Sequence, residues 1–292
     1  MNLSKTSFSA ASYATFRPSY PQSLYQEVLR YHRGQRHLCV DLGCGHGVVA
    51  RAMSEHFDSV TGTDPSGRMI EQAQSSTSSA EYPNVKFREA SAESLPFVAD
   101  SSVDMVVAGQ AAHWFDYTKV FNELARTVKS GGTMAFWGYK DHVFVDSPAA
   151  SSVMDKYAYG HHPDMLGSYW QQPGRSIVQN LLRDVKPPTD TWQDIKRIEY
   201  EPGTNGRHSG HGTMFMSKSL NIGECKEYIR TWSSYHSWRE AHPSAEGRSR
   251  GGSGDVVDQL FDEIASIDSK FGSEETSVDI EWGSVLLLAR KR

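Results

Sequence analysis

The stretch VDLGCGHGVVAR, residues 40 to 51, sets three glycines in five positions. It follows the apolar run LCVDL and precedes Val48, Val49, Ala52 and Met53, which repeat at helical spacing. A glycine-rich turn between a strand and a helix lets backbone approach a ligand where a Cβ would collide, and it aims the first helical amides at that ligand. Such a turn belongs to the first strand of a parallel α/β unit. The rest of the first half agrees. SVTGTD (59 to 64), VKFREA (85 to 90), VDMVVAG (103 to 109) and GTMAFWGY (132 to 139) read as strands. Helices are predicted from Pro21 to about His32, over 66 to 74, and over 120 to 129, the last ended by Ser130, Gly131 and Gly132. Strands alternating with helices predict a parallel sheet covered on both faces.

Beyond Lys140 the rhythm breaks, and aromatic and polar residues mix through YAYGHHPDMLGSYWQQPGR. A helix is predicted around Ser176 to Asp184, a strand over 195 to 200, surface loops over 204 to 212 and 243 to 255, and a helix over 255 to 267. WGSVLLLARK (282 to 291) reads as an apolar strand returning to the sheet, which makes the core discontinuous in sequence. No internal repeat is present.

What fills the glycine turn can be narrowed. Asp64 stands 21 positions after Gly43 at the end of the second strand, where a carboxylate can accept hydrogen bonds from both hydroxyls of a ribose. The ligand is therefore expected to contain adenosine. Asp41, Gly43, Gly45 and Gly47 depart from the G-x-G-x-x-G spacing of dinucleotide enzymes, and an acid at position 41 suits a cationic ligand end better than a pyrophosphate. The formal net charge of -5 supplies no global basic field, so neither nucleic acid nor a membrane surface is expected as a partner, and any anionic substrate must meet a local cluster. Cys39, Cys44 and Cys225 are odd in number and lack metal-ligand spacing, which favours a reducing compartment. No signal-type or membrane-length apolar run is seen, so a cytoplasmic protein is expected. His161 with His162, and His208 with His211, stand in loops with few acids and no nearby cysteine, so no metal is expected.

VDLGCGHG, TGTDPSGRMIEQA, FREASAESLPFVADSSVDMVVAGQAAHWFD and ELARTVKSGGTMAFWGY together resemble the successive motifs of class I S-adenosylmethionine-dependent methyltransferases, over residues 38 to 140. RPSYP, QAAHWFD, YWQQPGR and TWSSYHSW are similar to segments of the fungal relatives of trans-aconitate methyltransferase, which esterify small carboxylic acids. The resemblance implies a doubly wound, mostly parallel, seven-stranded Rossmann-like α/β sheet. It implies an N-terminal lid (1 to 20), a cofactor-binding core (21 to 140), a substrate-binding elaboration (141 to 280) and a final core strand (281 to 292). S-adenosylmethionine is the implied cofactor. Asp41, Gly43 and Gly45 would lie along its methionine moiety, Asp64 on the ribose, Met69 against the adenine, Ala92 and Glu93 at the adenine edge, and Gln110 toward the methionyl end. Tyr13, Phe16 and Arg17 would belong to the lid.

Three groups remain open between packing and chemistry. His113 and Trp114 follow the fourth strand, the end of an open α/β sheet where ligands sit, and are the candidate catalytic pair; otherwise they pack at a strand end. Arg175 is a candidate anchor for a substrate carboxylate or a solvated helix-start residue. Trp232, Tyr235 and Trp238 recur every three residues, as a packing stripe or as a pocket wall would. The expected activity is methyl transfer to a small molecule, foremost to a carboxylate oxygen. A phenol, amine or natural-product intermediate is the alternative acceptor, and a non-catalytic cofactor-binding scaffold is the alternative from another class. Oligomeric state is not legible.

Overall fold

The structure is a computed structural model and describes residues 18 to 292. The chain divides into two compact units. The core unit holds Ser19–Lys140, Ser176–Glu199 and Ser284–Arg292; among the described residues the second unit holds Pro18, Asp141–Arg175 and Tyr200–Gly283. The stretch 176 to 199, expected in the elaboration, thus belongs to the core unit.

In the core unit the parallel sheet is built from β1 (Leu38–Leu42), β2 (Ser59–Asp64), β3 (Val85–Glu89), β4 (Val103–Gly109) and β5 (Val128–Phe144). With β6 (Trp192–Glu201) and the last strand, β9 (Ser277–Lys291), the order is β3-β2-β1-β4-β5-β9-β6; the short β7 (His211–Gly212) on β6 and β8 (Ser217–Asn221) on β9 bring the sheet to nine strands where seven were expected. β5, β6 and β9 also contribute residues to the second unit. Parallel registers pair Asp41 with Gly62 and Val107, and Gly109 with Trp137. The chain winds outward from β1 to β3 and then returns to place β4 on the other side of β1. That reversal opens a crevice at the strand ends, where Gly43 and Gln110 follow β1 and β4 and Asp64 closes β2.

β4 is buried on both faces, which is why VDMVVAG reads as a continuous run rather than an alternation. The helices are α1 (Gln22–Tyr31), α2 (Val48–Ser54), α3 (Gly67–Ser75) and α4 (Tyr117–Thr127). α1 starts behind Pro21 and buries Leu24, Tyr25 and Val28. α4 begins earlier than expected because the Asp116 side chain caps the Lys119 amide, and it ends at Thr127 because Val128 is already in β5. The predicted helix at 176 to 184 is a correction. Only α6 (Gly174–Gln179) forms; Leu181 and Leu182 take positive φ (50° and 53°) and both are buried, so the chain turns inward instead of continuing.

The second unit contains α5 (Pro148–Tyr159), α7 (Ile222–Arg230), α8 (Ser233–Ala241) and α9 (Val256–Ile267). It also holds the short β7 (His211–Gly212) and β8 (Ser217–Asn221), the latter antiparallel to the first residues of β9. Capping boxes at Asn221/Glu224 and Asp255/Asp258 set the starts of α7 and α9. Phe144, Phe261 and Phe271 form an aromatic core. No helix among the described residues is long and apolar enough to cross a membrane.

Candidate functional site

The three glycines of the turn serve different ends. Gly43, Gly45 and Gly47 all take positive φ (65°, 54° and 85°), a region a side chain rarely adopts. A Cβ on Gly43 would lie 2.6 Å from the Ala111 Cβ, and one on Gly47 would lie 2.7 Å from the Phe87 ring. Those two glycines admit the protein's own side chains. A Cβ on Gly45 would meet nothing within 4 Å, so this is where the turn faces open space. The Cys44 amide donates to the Thr63 carbonyl at 2.8 Å and fastens the turn to β2.

Two carboxylates flank the turn. Asp64 accepts from the Gly45 amide at 3.0 Å and the Ser66 amide at 2.9 Å, joining the turn to the start of α3. Burial raises its pKa, and those two amides act against the rise. Asp41, 1% exposed, has no hydrogen-bond partner on either carboxylate oxygen among the described residues. Burial pushes its pKa well above the ordinary carboxylate value; the Ala50 amide opposes this and the negative charge of Asp64 adds to it. A bare buried carboxylate beside an open glycine fits a ligand with a cationic, hydrogen-bonding end.

Other expected residues fall as follows. Met69 lies in α3 and Ala92 after β3, both buried. Glu93 accepts from the Asp116 amide at 2.9 Å, ahead of α4. Gln110 follows β4, and its side chain bridges to β5: Nε2 donates to the Tyr139 carbonyl at 2.8 Å and Oε1 accepts from the Tyr139 amide at 2.7 Å. His113 and Trp114 sit in a 3-10 turn, Ala112–Trp114, with His113 buried and the two rings 4.7 Å apart. Tyr13, Phe16 and Arg17 lie outside the described residues.

In the second unit, the partly buried Arg175 lies against the Trp170 ring, 3.8 Å from its centroid, and Nη2 donates to Asp141 and the Tyr159 hydroxyl. Nη2 is therefore already engaged, while Nε has no partner among the described residues. Trp232, Tyr235 and Trp238 are buried within the same unit. Tyr235 donates to Asp255 at 2.7 Å, Trp238 Nε1 donates to the Pro163 carbonyl at 3.1 Å, and Trp232 packs on Trp170 and Tyr228. The stripe has a packing role whatever else it does.

Among the described residues of the core unit, the Tyr25 and Tyr117 hydroxyls, Trp137 Nε1, Trp192 Nε1 and Ser284 Oγ, none of them singled out from the sequence, are also unpartnered. Their signals, an apolar helical stripe and a central strand, are those of ordinary core.

This sheet order, with a glycine turn and an acid closing its second strand, defines a nucleoside-binding α/β enzyme of the methyltransferase type. Residues 40 to 136 match the methyltransferase domain family. Over 98% of the chain and 96% of the relative, the sequence is 32% identical to a probable S-adenosylmethionine-dependent methyltransferase of Saccharomyces cerevisiae. It is 22% identical to a methyltransferase of Aspergillus terreus over 96% of the chain and 92% of the relative. A solved structure from Anaeromyxobacter dehalogenans, provisionally described as a type II methyltransferase, superposes with a TM-score of 0.69 at 23% identity, covering 94% of this chain and 98% of that one; it speaks for the fold. The chain belongs to the class I S-adenosylmethionine-dependent methyltransferases.

Proposed function

We propose that the chain methylates a carboxylate oxygen of a small molecule, giving a methyl ester. The observation that carries this reading is Arg175: a partly buried guanidinium laid on an indole, with Nε left without an acceptor among the described residues, in a protein of net charge -5. One N–H directed at a carboxylate from a low-dielectric wall is a charge-assisted donor worth more than its surface equivalent. The motif likeness to carboxyl-esterifying relatives of trans-aconitate methyltransferase points the same way.

S-adenosylmethionine, when bound, supplies an already activated methyl on sulfur. What the chain must do is align an acceptor and exclude water. In this reading Asp41 and Gly45 receive the methionine moiety, Asp64 the ribose, and Met69, Ala92 and Glu93 the adenine. A carboxylic acid with an ordinary pKa near ~4 is ionised at neutral pH, so no side chain need remove a proton. His113 then orients the acceptor, and Trp114 beside it helps keep water out. All three cysteines are free and buried, which suits a reducing, cytoplasmic setting.

The test is incubation with methyl-labelled cofactor and a panel of mono- and dicarboxylic acids, phenols and amines, with products read by mass. Esters are expected, and His113→Ala should slow their formation without removing the flat pH profile near neutrality. Products from amines or phenols alone, with a basic limb in the profile that His113→Ala abolishes, would sink the carboxylate reading.

A further inference from the structure

We propose that the core unit carries a second ligand site, for a small phosphate-bearing anion, in a cavity at the end of the sheet opposite the cofactor crevice. It is independent of the methyl acceptor and of the carboxylate reading above.

The cavity measures about 620 Å³, and all its lining residues belong to the core unit. Arg33 enters it from the loop between α1 and β1, Asp104 from the start of β4, Lys129 and Ser130 from the start of β5, Asp194 from β6 and Arg290 from β9. Asp104 is the second residue of β4, whereas the crevice opens past Gly109 at the other end of that strand. About 16 Å of strand therefore separates the two places.

Charge in the cavity is not balanced. Asp104 is fully engaged: one oxygen accepts from Lys129 Nζ at 2.7 Å and the other from the His37 and Leu38 amides at 3.0 Å. Asp194 accepts from Arg290 Nε at 3.1 Å. Arg290 is held further by the Tyr31 carbonyl at 3.0 Å and lies over the Tyr31 ring, 4.9 Å from its centroid. Each acid is thus matched to one cation. Arg33 is left over: it is exposed and makes no hydrogen bond or ion pair among the described residues. Donors are in excess too. Lys129 gives Asp104 one of its three N–H groups, Arg33 brings five, and the exposed Ser130 hydroxyl makes no hydrogen bond among the described residues. Gly131, also in the lining, takes φ 78°, and a Cβ there would meet nothing within 4 Å, so a ligand can come close to the backbone.

Unused donors around an unmatched positive charge select an anion rich in acceptors. A metal cation would be repelled, and a neutral sugar or amide would leave the Arg33 charge unmet. A carboxylate offers oxygens in one plane, whereas these donors come from separate elements of the fold. A phosphate group presents oxygens on all sides and carries roughly two negative charges at neutral pH. Lys129 and Arg290 are already held by Asp104 and Asp194, so little side-chain freedom is lost when the anion binds.

The test is calorimetry on the full chain with inorganic phosphate, glycerol phosphate and citrate, at fixed ionic strength because salt screens exposed charges. Saturating S-adenosylhomocysteine keeps the probes out of the crevice. Both phosphates should bind, and citrate more weakly. Arg33→Ala should weaken the phosphates about tenfold and Ser130→Ala about threefold, with melting temperatures unchanged because both side chains are exposed. Arg36→Ala removes an exposed cation of the same loop that does not line the cavity, and should change neither affinity. Tighter binding of glycerol phosphate would assign an organic ester and tighter binding of inorganic phosphate the free ion, and either order supports the site. No phosphate binding, tighter binding of citrate, or equal weakening by Arg33→Ala and Arg36→Ala would overturn it, the last by reducing the cavity to a diffuse basic surface. Phosphate binding seen only when S-adenosylhomocysteine is left out would place the anion in the crevice and overturn the proposal as well.

Discussion

Each unit buries an aspartate almost completely, and the two stand in opposite conditions. Asp255 in the second unit is 0% exposed and fully engaged: Arg230 grips it through Nε at 2.8 Å and Nη2 at 3.0 Å, Tyr235 donates at 2.7 Å, and the Val257 and Asp258 amides complete the cap of α9. Asp41 in the core unit is as deeply buried and has none of this. Both carboxylates lose hydration, but only Asp255 recovers it from the chain. A buried charge with partners on several sides is architecture, whereas one left bare beside an open turn is stabilised only when something binds.

The largest effect should come from breaking the satisfied partner. Asp255→Ala strands the Arg230 guanidinium, the Tyr235 hydroxyl and two helix-start amides, and should destabilise the fold by about 3–5 kcal/mol, read by urea or thermal unfolding. The pH dependence has a definite sign. Burial works against ionisation of Asp255, but Arg230 outweighs it and the pKa lies below the ordinary value. The stabilisation is therefore complete above about pH 4, the unfolded value, and is lost as pH falls through the lower folded value. An Asp255→Ala penalty that did not shrink in acid would show that the cap, not the charge, carries it.

Removing the bare charge should act in the reverse direction. Asp41→Asn relieves an uncompensated ion, so without cofactor it should raise stability by about 1–2 kcal/mol while lowering cofactor affinity. Because the folded pKa is raised, the cost of Asp41 grows from about pH 4 upward until it is fully ionised in the fold, and the advantage of Asn should vanish below that range. Loss of stability at neutral pH in Asp41→Asn would erase the contrast between the two acids.

Asp64 falls between them, since it is buried yet held by two amides. Asp64→Ala should weaken S-adenosylmethionine binding by roughly 1–3 kcal/mol in calorimetry, with a smaller loss of melting temperature from the freed turn. Unchanged affinity in a folded variant would remove Asp64 from the site.

How much of this could be read in the sequence depends on how local the cause is. The glycine turn is legible because its demands, positive φ and close approach, act on the residues that show them. Alternation of strands and helices makes a parallel sheet legible, whereas the number of strands rested on the resemblance alone, and the short β7 and β8 carry no signal of their own. That Gln110 bonds Tyr139 with both ends of its amide was not legible, because the two residues lie 29 positions apart. The helix after Arg175 was overextended because left-handed backbone at Leu181 and Leu182 is imposed by burying both side chains, and leucine carries no such signal. Tyr235 shows the limit of periodicity: a three-residue stripe predicts a buried face but not that its hydroxyl meets Asp255.

The smallest expected effect concerns a charge pair intermediate between the two acids. Asp141 and Arg175 are both partly buried in the second unit, and Arg175 Nη2 serves Asp141 and the Tyr159 hydroxyl together, while Nε has no partner among the described residues. If Arg175 receives a substrate carboxylate, Asp141 competes with that substrate for the same cation. Asp141→Asn keeps the shape and a hydrogen-bond acceptor but removes the competing charge, so KM for an acid substrate should fall about two- to fivefold with kcat nearly unchanged, a change of uniform binding. Arg175→Lys should raise KM by a comparable factor, since an ammonium cannot both reach Asp141 and present a planar N–H edge on the indole. The same KM for the acid in wild type and Asp141→Asn, with Arg175→Lys altering only thermal stability, would class Arg175 with Arg230 as architecture, and the carboxylate anchor would have to be sought elsewhere.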